Sequence, residues 1–206
     1  LLPSQLSTVA THRSNNTGGA LVPNHSLATT YEYNSLNQLV EQQTPDGGNT
    51  IFYYDFAGQI IASQNAEQAL QNPKQYSYSR YDGLGRVVET GALATNASIN
   101  KYLARNPVAF KSWYTNATKF EVTITQYDDS YHSSINAYFG MQGQENLRGR
   151  VASVFHYEGE YTGNYDFASH YSYDMAGNVK TLIQEQSHLS SLHRELKRID
   201  YEYDLI

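Results

Sequence analysis

A short motif recurs along this chain and constrains its architecture more than any other feature of the sequence. In the clear copies, Tyr-Asp is followed after two residues by Gly, then by a polar residue and a β-branched residue. The Tyr, Asp and Gly of these copies are Tyr54, Asp55 and Gly58; Tyr81, Asp82 and Gly85; and Tyr173, Asp174 and Gly177. Weaker copies begin at Tyr33, Tyr127 and Tyr203. A motif that recurs in this way predicts a protein assembled from repeated supersecondary units.

The residues around the motif predict that each copy is a β-hairpin. Before the motif, tyrosine alternates with another residue at 31–33, 76–78 and 171–173, which places the rings on one face of a strand. Asp or Asn starts a turn by accepting bonds from backbone N–H groups, and Gly supplies the positive φ that a tight reversal needs. In the best copy, Arg86 follows the Gly and Val87 begins the outgoing strand. The motif residues are therefore predicted to be structural turn residues.

The aromatic composition favours an extended sheet over a conventional closed core. The chain has 19 Tyr but only 7 Phe and 1 Trp, and 40% of its residues are hydrophobic. Closed cores favour aliphatic residues and Phe, whereas Tyr rings stack across neighbouring strands and keep their hydroxyl groups hydrogen-bonded. We therefore expect an all-β fold in which repeated hairpins form an extended, spiralling sheet.

Charge and cysteine content exclude several classes of function. The formal charge is −6, which disfavours a nucleic-acid partner because such binding requires clustered Lys and Arg. The absence of Cys excludes disulfides and cysteine-ligated metals.

No apolar run approaches the roughly 18 residues of a membrane span, and the first residues lack the features of a signal peptide. Because a motif copy is interrupted at residues 203–206, we expect an excerpt of a longer polypeptide.

The spacing of the copies divides the chain unevenly. Residues 1–30 form a polar segment or partial repeat, and residues 31–206 form the repeat region. The intervals from Tyr81 to Tyr127 and from Tyr127 to Tyr173 are both 46 residues, so two unmarked repeats are expected there. Further expectations are turns at 96–100 and 106–107, one helical turn at 66–70, and the only helix, or a long hairpin loop, within 184–198. Residues 149–151 match the second half of the motif without its first half.

These copies resemble the YD repeat of Rhs (rearrangement hot spot) proteins. The best match is residues 81–87, and the resemblance extends over residues 31–206 with a weakly marked middle third. It implies a long β-ribbon that spirals into a hollow shell. In bacterial insecticidal toxin complexes and Rhs polymorphic toxins, such shells enclose a C-terminal toxic domain, which implies a secreted or cell-surface bacterial protein. The self-cleaving protease segment of the family has no match in this chain.

The sequence predicts no catalytic, metal or cofactor site, so we expect a protein that is not an enzyme. Its seven histidines are scattered, and no Gly-x-Ser-x-Gly elbow is present. The adjacent Asp128 and Asp129 point apart on a turn, which favours turn capping over paired-carboxylate chemistry. The motif aspartates recur, whereas an active site needs one asymmetric constellation, so they too are expected to be structural.

Two functions remain open. In the first, the chain is a segment of shell whose partners are neighbouring repeats and an enclosed domain of the same polypeptide, with secretion machinery as a further candidate. In the second, it is a cell-surface adhesion or carbohydrate-binding module in which Trp113 and Tyr114 stack on sugar rings. The structural alternative for Trp113 is that its ring fills one face of the sheet.

Overall fold

The computed structural model describes residues 7–9, 27–131, 133–192 and 196–204, so most of the predicted N-terminal segment lies outside it. The strands are β1 (Ser7–Val9), β2 (Thr29–Tyr33), β3 (Leu39–Thr44), β4 (Gly48–Tyr54), β5 (Ile60–Gln64), β6 (Lys74–Tyr81), β7 (Val87–Thr95), β8 (Thr118–Tyr127), β9 (Val151–Glu160), β10 (Phe167–Tyr173), β11 (Val179–Gln186) and β12 (Leu196–Asp200). Their order in the sheet is their order in the sequence. The described pairs are antiparallel, which confirms the predicted all-β fold.

The chain divides into two compact units. The first comprises Leu1–Tyr78 with Leu93–Ala117, and the second comprises Ser79–Ala92 with Thr118–Ile206. Two of the three boundaries along the chain fall inside strands, β6 and β7, and the third lies directly before β8.

Aromatic rings from a helix and a strand form much of the core of the first unit. The α3 helix (Pro107–Thr115) contributes Phe110, Trp113 and Tyr114, which are all buried. Trp113 meets Tyr76 of β6 edge to face, with ring centroids 5.2 Å apart, and its Nε1 donates to the Ala97 carbonyl at 2.9 Å. The hydrophobic contact is thus combined with a satisfied indole N–H, as a buried Trp requires.

The turn predicted at 96–100 lies in a non-helical connection that ends at the N-cap of a helix, whereas the turn predicted at 106–107 is wrong, because these residues begin a helix. Asn100 caps α2 (Lys101–Ala104), and Asn106 caps α3, each accepting two backbone N–H bonds through its side chain. Asn starts turns and caps helices through the same acceptor, and Pro107 stands at the start of α3, where a missing N–H costs nothing. The polar acceptor at Asn106 was therefore correctly recognised, but it starts a helix and not a turn.

Of the other two helix predictions, one is confirmed and one is not. The single turn at 66–70 is confirmed as α1 (Ala66–Leu70), which Asn65 and Gln68 stabilise with a reciprocal capping box. The segment 184–198 is not an α-helix in its described part: β11 continues to Gln186, a 3₁₀ segment covers Ser187–Leu192, and β12 begins at Leu196. The alternative of a loop between two strands fits this segment.

Two hydrophobic clusters form the core of the second unit. In one, Val122, Phe155, Tyr157 and Ala168 are buried, with Tyr161 and Tyr165 packed against them. In the other, Leu147, Ala152 and Tyr173 are buried together. Tyrosines are therefore buried beside aliphatic residues in separate clusters along an open sheet, which agrees with the expected extended sheet.

The two 46-residue intervals do not contain unmarked repeats. The first, between the motifs of Tyr81 and Tyr127, contains β7, α2, α3 and β8 and no additional hairpin among its residues. The second contains a long excursion, which includes α4 (Ser133–Asn136), before β9 begins at Val151. Helices and an insertion, rather than degenerate copies, therefore fill the extra length.

Removing the Phe155 ring should identify it as a core residue of the second unit. Phe155 is 2% exposed, so we expect Phe155→Ala to lower the free energy of unfolding by about 3–5 kcal/mol in urea titrations. Phe56→Ala is the matched control, because Phe56 is 77% exposed. Equal losses for the two variants would contradict this placement of the core.

Candidate functional site

The side chain of the second motif residue closes the turn of each described copy. In the best copy, the Asp82 N–H donates to the Arg86 carbonyl at 2.9 Å, and the Gly85 N–H donates to the Asp82 carbonyl at 3.0 Å. Asp82 Oδ1 also accepts from the backbone N–H groups of Leu84 and Arg86, both at 2.9 Å. One residue therefore satisfies most of the backbone polar groups of the reversal.

The other contiguous copies repeat this geometry. Asp55 Oδ1 accepts from the Gln59 N–H at 2.9 Å, and Asp174 Oδ1 accepts from the Asn178 N–H at 2.8 Å. Asn34 in the weaker copy accepts from the Gln38 N–H at 3.0 Å. These copies therefore form the same kind of turn, and either Asp or Asn serves as its capping residue.

The fifth motif position requires a left-handed backbone. Gly58, Gly85 and Gly177 have φ of 84°, 80° and 95°, and Asn37 takes the same position at 59°. Gly adopts this region without steric cost, and Asn is the side chain that tolerates it best. The predicted role of the glycines is thus met by the conformation of each turn.

The polar residue after the glycine is paired with the capping side chain. Arg86 Nε donates to Asp82 Oδ2 at 2.7 Å, and Asn178 Nδ2 donates to Asp174 Oδ2 at 2.9 Å. In the weaker copy the direction is reversed, since Asn34 Nδ2 donates to the Gln38 side-chain oxygen at 2.7 Å. A carboxylate needs a donor at this position, whereas an amide accommodates an acceptor.

The motif tyrosines link consecutive motif hairpins through their hydroxyl groups. In four copies, the hydroxyl donates to the backbone carbonyl of the aliphatic residue that opens the outgoing strand of the preceding motif hairpin. The four bonds are Tyr54 to Leu39 at 2.8 Å, Tyr127 to Val87 at 3.1 Å, Tyr173 to Val151 at 2.8 Å and Tyr203 to Val179 at 3.0 Å. Phe could not make this bond, which accounts for Tyr at the motif positions.

The copy at Tyr127 is a complete motif that is split by an insertion. Its second half is Gly149, Arg150 and Val151: the Asp128 N–H donates to the Arg150 carbonyl at 3.1 Å, and the Gly149 N–H donates to Asp128 Oδ1 at 2.6 Å. Tyr127 pairs with Val151 across the ladder, as Tyr173 pairs with Val179. Residues 129–148 stand where other copies have two residues. The two half-matches in the sequence therefore belong to one hairpin.

The insertion leaves the turn and binds the next motif hairpin. Its departure is a three-residue turn, in which Asp128 has φ 70° and the Asp129 N–H bonds to the Tyr127 carbonyl at 2.8 Å. Gln144 Nε2 then donates to the carbonyls of Ala152 and Tyr171 at 2.8 and 2.9 Å. Asn146 Nδ2 also donates to the Tyr173 carbonyl at 2.8 Å.

Arg86 joins the intact third motif to the split fourth one. Its guanidinium bonds Asp82 and Asp128, each at 2.7 Å, and lies over the Tyr127 ring, 4.2 Å from the centroid. The Arg86 hydrogen bond is the main cause of the lowered pKa of Asp128, and the Arg86 backbone N–H is the main cause of the lowered pKa of Asp82. Both carboxylates are thus held ionised as acceptors for the turn and its arginine.

A buried polar network that the sequence did not predict lies in the second unit. Ser153 Oγ is 2.8 Å from His170 Nδ1, and His170 Nε2 is 3.4 Å from Glu185 Oε2. Tyr165 donates to the same carboxylate oxygen at 2.8 Å. Because an ionised carboxylate only accepts, His170 donates to Glu185 from Nε2.

In this network Ser contacts His and His contacts Glu, as in a hydrolytic triad, but the Ser hydroxyl is not accessible to solvent. Ser153 and His170 are both 0% exposed, so no substrate reaches the hydroxyl in this conformation. Its signal in the sequence is faint, because Ser153 and His170 become neighbours only through the β9–β10 register. The network fixes the polar side chains of three strands.

A second buried charge is also fully paired. Glu89 is 6% exposed and bonds the side chains of Arg80 and Lys119, the latter at 2.8 Å. Lys119 lies 5.6 Å from the centroid of the Tyr161 ring. The adjoining groove of about 410 Å³ includes Arg80 and Arg86, and both guanidinium groups are engaged by carboxylates. The charges of this groove therefore neutralise one another.

The predicted sugar-stacking residues lie in the core of the first unit. Trp113 is 5% exposed and Tyr114 is 7% exposed, and Phe110 packs against both rings. Neither ring offers a free face to a ligand, and the placement matches the alternative in which Trp113 fills the sheet. Within the described ranges, no group of His, Asp and Glu is arranged to hold a metal ion, and no helix could cross a membrane.

The similarity of this chain to known proteins is weak. No family model matches the chain, and no curated protein matches it. The solved structure "Crystal Structure of TcdB2-TccC3-TEV" is similar to it at 16% sequence identity and a TM-score of 0.28. The similarity covers 85% of this chain and 11% of that chain, so this chain spans a small part of that protein's length.

Loss of one motif hydroxyl should weaken the link between two hairpins. Tyr173→Phe removes the bond to the Val151 carbonyl and leaves that acceptor without its partner, so we expect a loss of about 1 kcal/mol in the free energy of unfolding. Tyr138→Phe is the control, because Tyr138 is 47% exposed. A loss in the control as large as that in Tyr173→Phe would contradict the link.

The network around Glu185 should make stability fall in acid. The His170 hydrogen bond is the largest cause of the lowered pKa of Glu185. A lowered pKa in the folded state means that the stabilisation is complete above the ordinary pKa of Glu and is lost as pH falls through the lowered value. We expect Glu185→Gln to be less stable at pH 7 and to lose less stability between pH 5 and pH 3. Parallel pH profiles of unfolding for the two proteins would refute this.

Proposed function

We propose that this chain is a structural repeat segment of the Rhs type that forms part of the shell of a large secreted bacterial protein. Its partners are neighbouring repeats and a C-terminal toxin or effector domain of the same polypeptide, which the shell encloses. The chain forms part of the shell wall and has no catalytic role, and it needs no cofactor.

The observation that carries this proposal is the bond from four of the motif tyrosines to the preceding motif hairpin. The four bonds join equivalent atoms at 2.8–3.1 Å, so the same contact recurs from hairpin to hairpin. A contact that recurs with the repeat extends a sheet without a fixed limit, which suits a wall.

The use of the motif side chains supports the same proposal. The capping residue, the glycine and the polar residue are occupied in closing their own turn, as Asp82, Gly85 and Arg86 illustrate. The arginine also reaches the next motif hairpin through Asp128. The adhesion alternative depended on exposed Trp113 and Tyr114, and their burial leaves no observation that favours it.

Electron microscopy of the intact protein from its natural source tests the proposal. We expect a closed hollow particle with additional density inside it, and limited proteolysis should leave the enclosed domain protected until the shell is opened. An open rod, a solid particle or a native polypeptide of only 206 residues would overturn the enclosing role.

A further inference from the structure

The edge of β12 presents half of a motif hairpin. β12 pairs with β11 from Thr181–Asp200 to Glu185–Leu196, and no other described strand pairs with it. An antiparallel strand with one neighbour directs alternate N–H and C=O groups away from that neighbour. These groups form a template for a further strand.

The residues after β12 are already placed as the first half of a motif. The Tyr201 N–H donates to the Lys180 carbonyl at 3.0 Å, and the Tyr203 hydroxyl donates to the Val179 carbonyl at 3.0 Å. The second bond is equivalent to those that Tyr54, Tyr127 and Tyr173 make to the preceding hairpin. Asp204, which follows Tyr203, therefore stands at the position of a capping residue. None of the described residues supplies the second half of this motif.

The split fourth motif shows that the two halves need no short link. Asp128 and Gly149 meet across an insertion of residues 129–148, and the cap and the ladder pairing still form. The specificity therefore lies in the halves themselves: a capping carboxylate on one side, and Gly, a polar donor and an aliphatic residue on the other.

We propose that the β12 edge is an acceptor site for an antiparallel strand from outside these 206 residues that opens with Gly, then Arg, Asn or Gln, then Val or Ile. The glycine adopts positive φ and donates its N–H to the Asp204 carboxylate, as Gly149 does to Asp128. The carbonyl of the polar residue accepts from the Asp204 N–H, as that of Arg150 accepts from Asp128, and the aliphatic residue pairs with Tyr203. The strand is recognised without being joined to Asp204 by the usual two residues. The inference does not depend on the shell, because it concerns the edge alone.

Binding of a peptide tests the site. The probe is a fluorescein-labelled peptide with the sequence of residues 175–186, which carries Gly177, Asn178 and Val179 in the required order. Fluorescence anisotropy against the 206-residue chain should show saturable binding. The same peptide with Gly177→Val should bind at least about fivefold more weakly, because a β-branched residue is strained at positive φ.

Substitutions in the chain locate the binding. Asp204→Ala removes the capping carboxylate and should weaken binding by about fivefold, the usual effect of losing such a cap. Asp46→Ala is the matched control, because Asp46 is an exposed turn residue outside the motif copies. Binding that is absent, or that is unchanged by both Asp204→Ala and the glycine substitution, overturns the proposal. Pairing of the edge with a second copy of the chain, without the peptide, also overturns it.

A covalent version makes the test independent of affinity. The same peptide sequence is fused after Ile206 through a flexible Gly/Ser linker of about ten residues, which behaves as a random coil. We expect a higher midpoint of thermal unfolding, and slower hydrogen exchange in β12, than in the fusion that carries the valine substitution. Equal midpoints and equal exchange in the two fusions would defeat the proposal.

Discussion

The hydroxyl bond from a motif tyrosine to the preceding motif hairpin is the contact on which the repeat architecture depends. A hairpin is closed by its own turn, but nothing in that turn determines which strand lies beside it. The bond from Tyr173 to Val151 provides this information, because it exists only when the tyrosine strand lies at one register against the earlier hairpin. The hydrophobic contacts then stabilise an arrangement that the polar bond has specified.

A positively charged side chain from the preceding turn also contacts the ring of some motif tyrosines. Where the polar residue after the glycine is Arg, its guanidinium lies beside the next motif tyrosine, as Arg86 lies beside Tyr127 and Arg150 lies beside Tyr173 at 5.5 Å. The ring thus has its hydroxyl bonded to the backbone and its face close to a cation from the previous turn. Copies with Asn or Gln have a shorter, uncharged side chain at this position, so the cation–ring contact belongs to the copies with Arg.

The sequence predicted the local structure of the turns better than it predicted how the chain continues between them. The capping residues and glycines were correctly placed because their roles are satisfied within five or six neighbouring residues. The cap Asn106 gave the right signal for the wrong element, because an Asn acceptor serves turns and helices alike. The network of Ser153, His170 and Glu185 was out of reach, because it depends on the register of three strands. The tyrosine bonds were likewise missed, although the excess of Tyr over Phe was their signal.

The split fourth hairpin has a consequence for how such chains evolve. Lengthening a turn from two residues to twenty costs about 2 kcal/mol in loop-closure entropy, because this cost grows only with the logarithm of loop length. The bonds of Gln144 to Tyr171 and of Asn146 to Tyr173, both in the neighbouring hairpin, offset part of that cost. The junction between Asp and Gly is therefore a permissive place for new sequence to enter, and the hairpin survives the event. Any pattern search that requires contiguous residues will miss such copies, so the periodicity readable in a sequence of this kind is a lower bound on the periodicity of its structure.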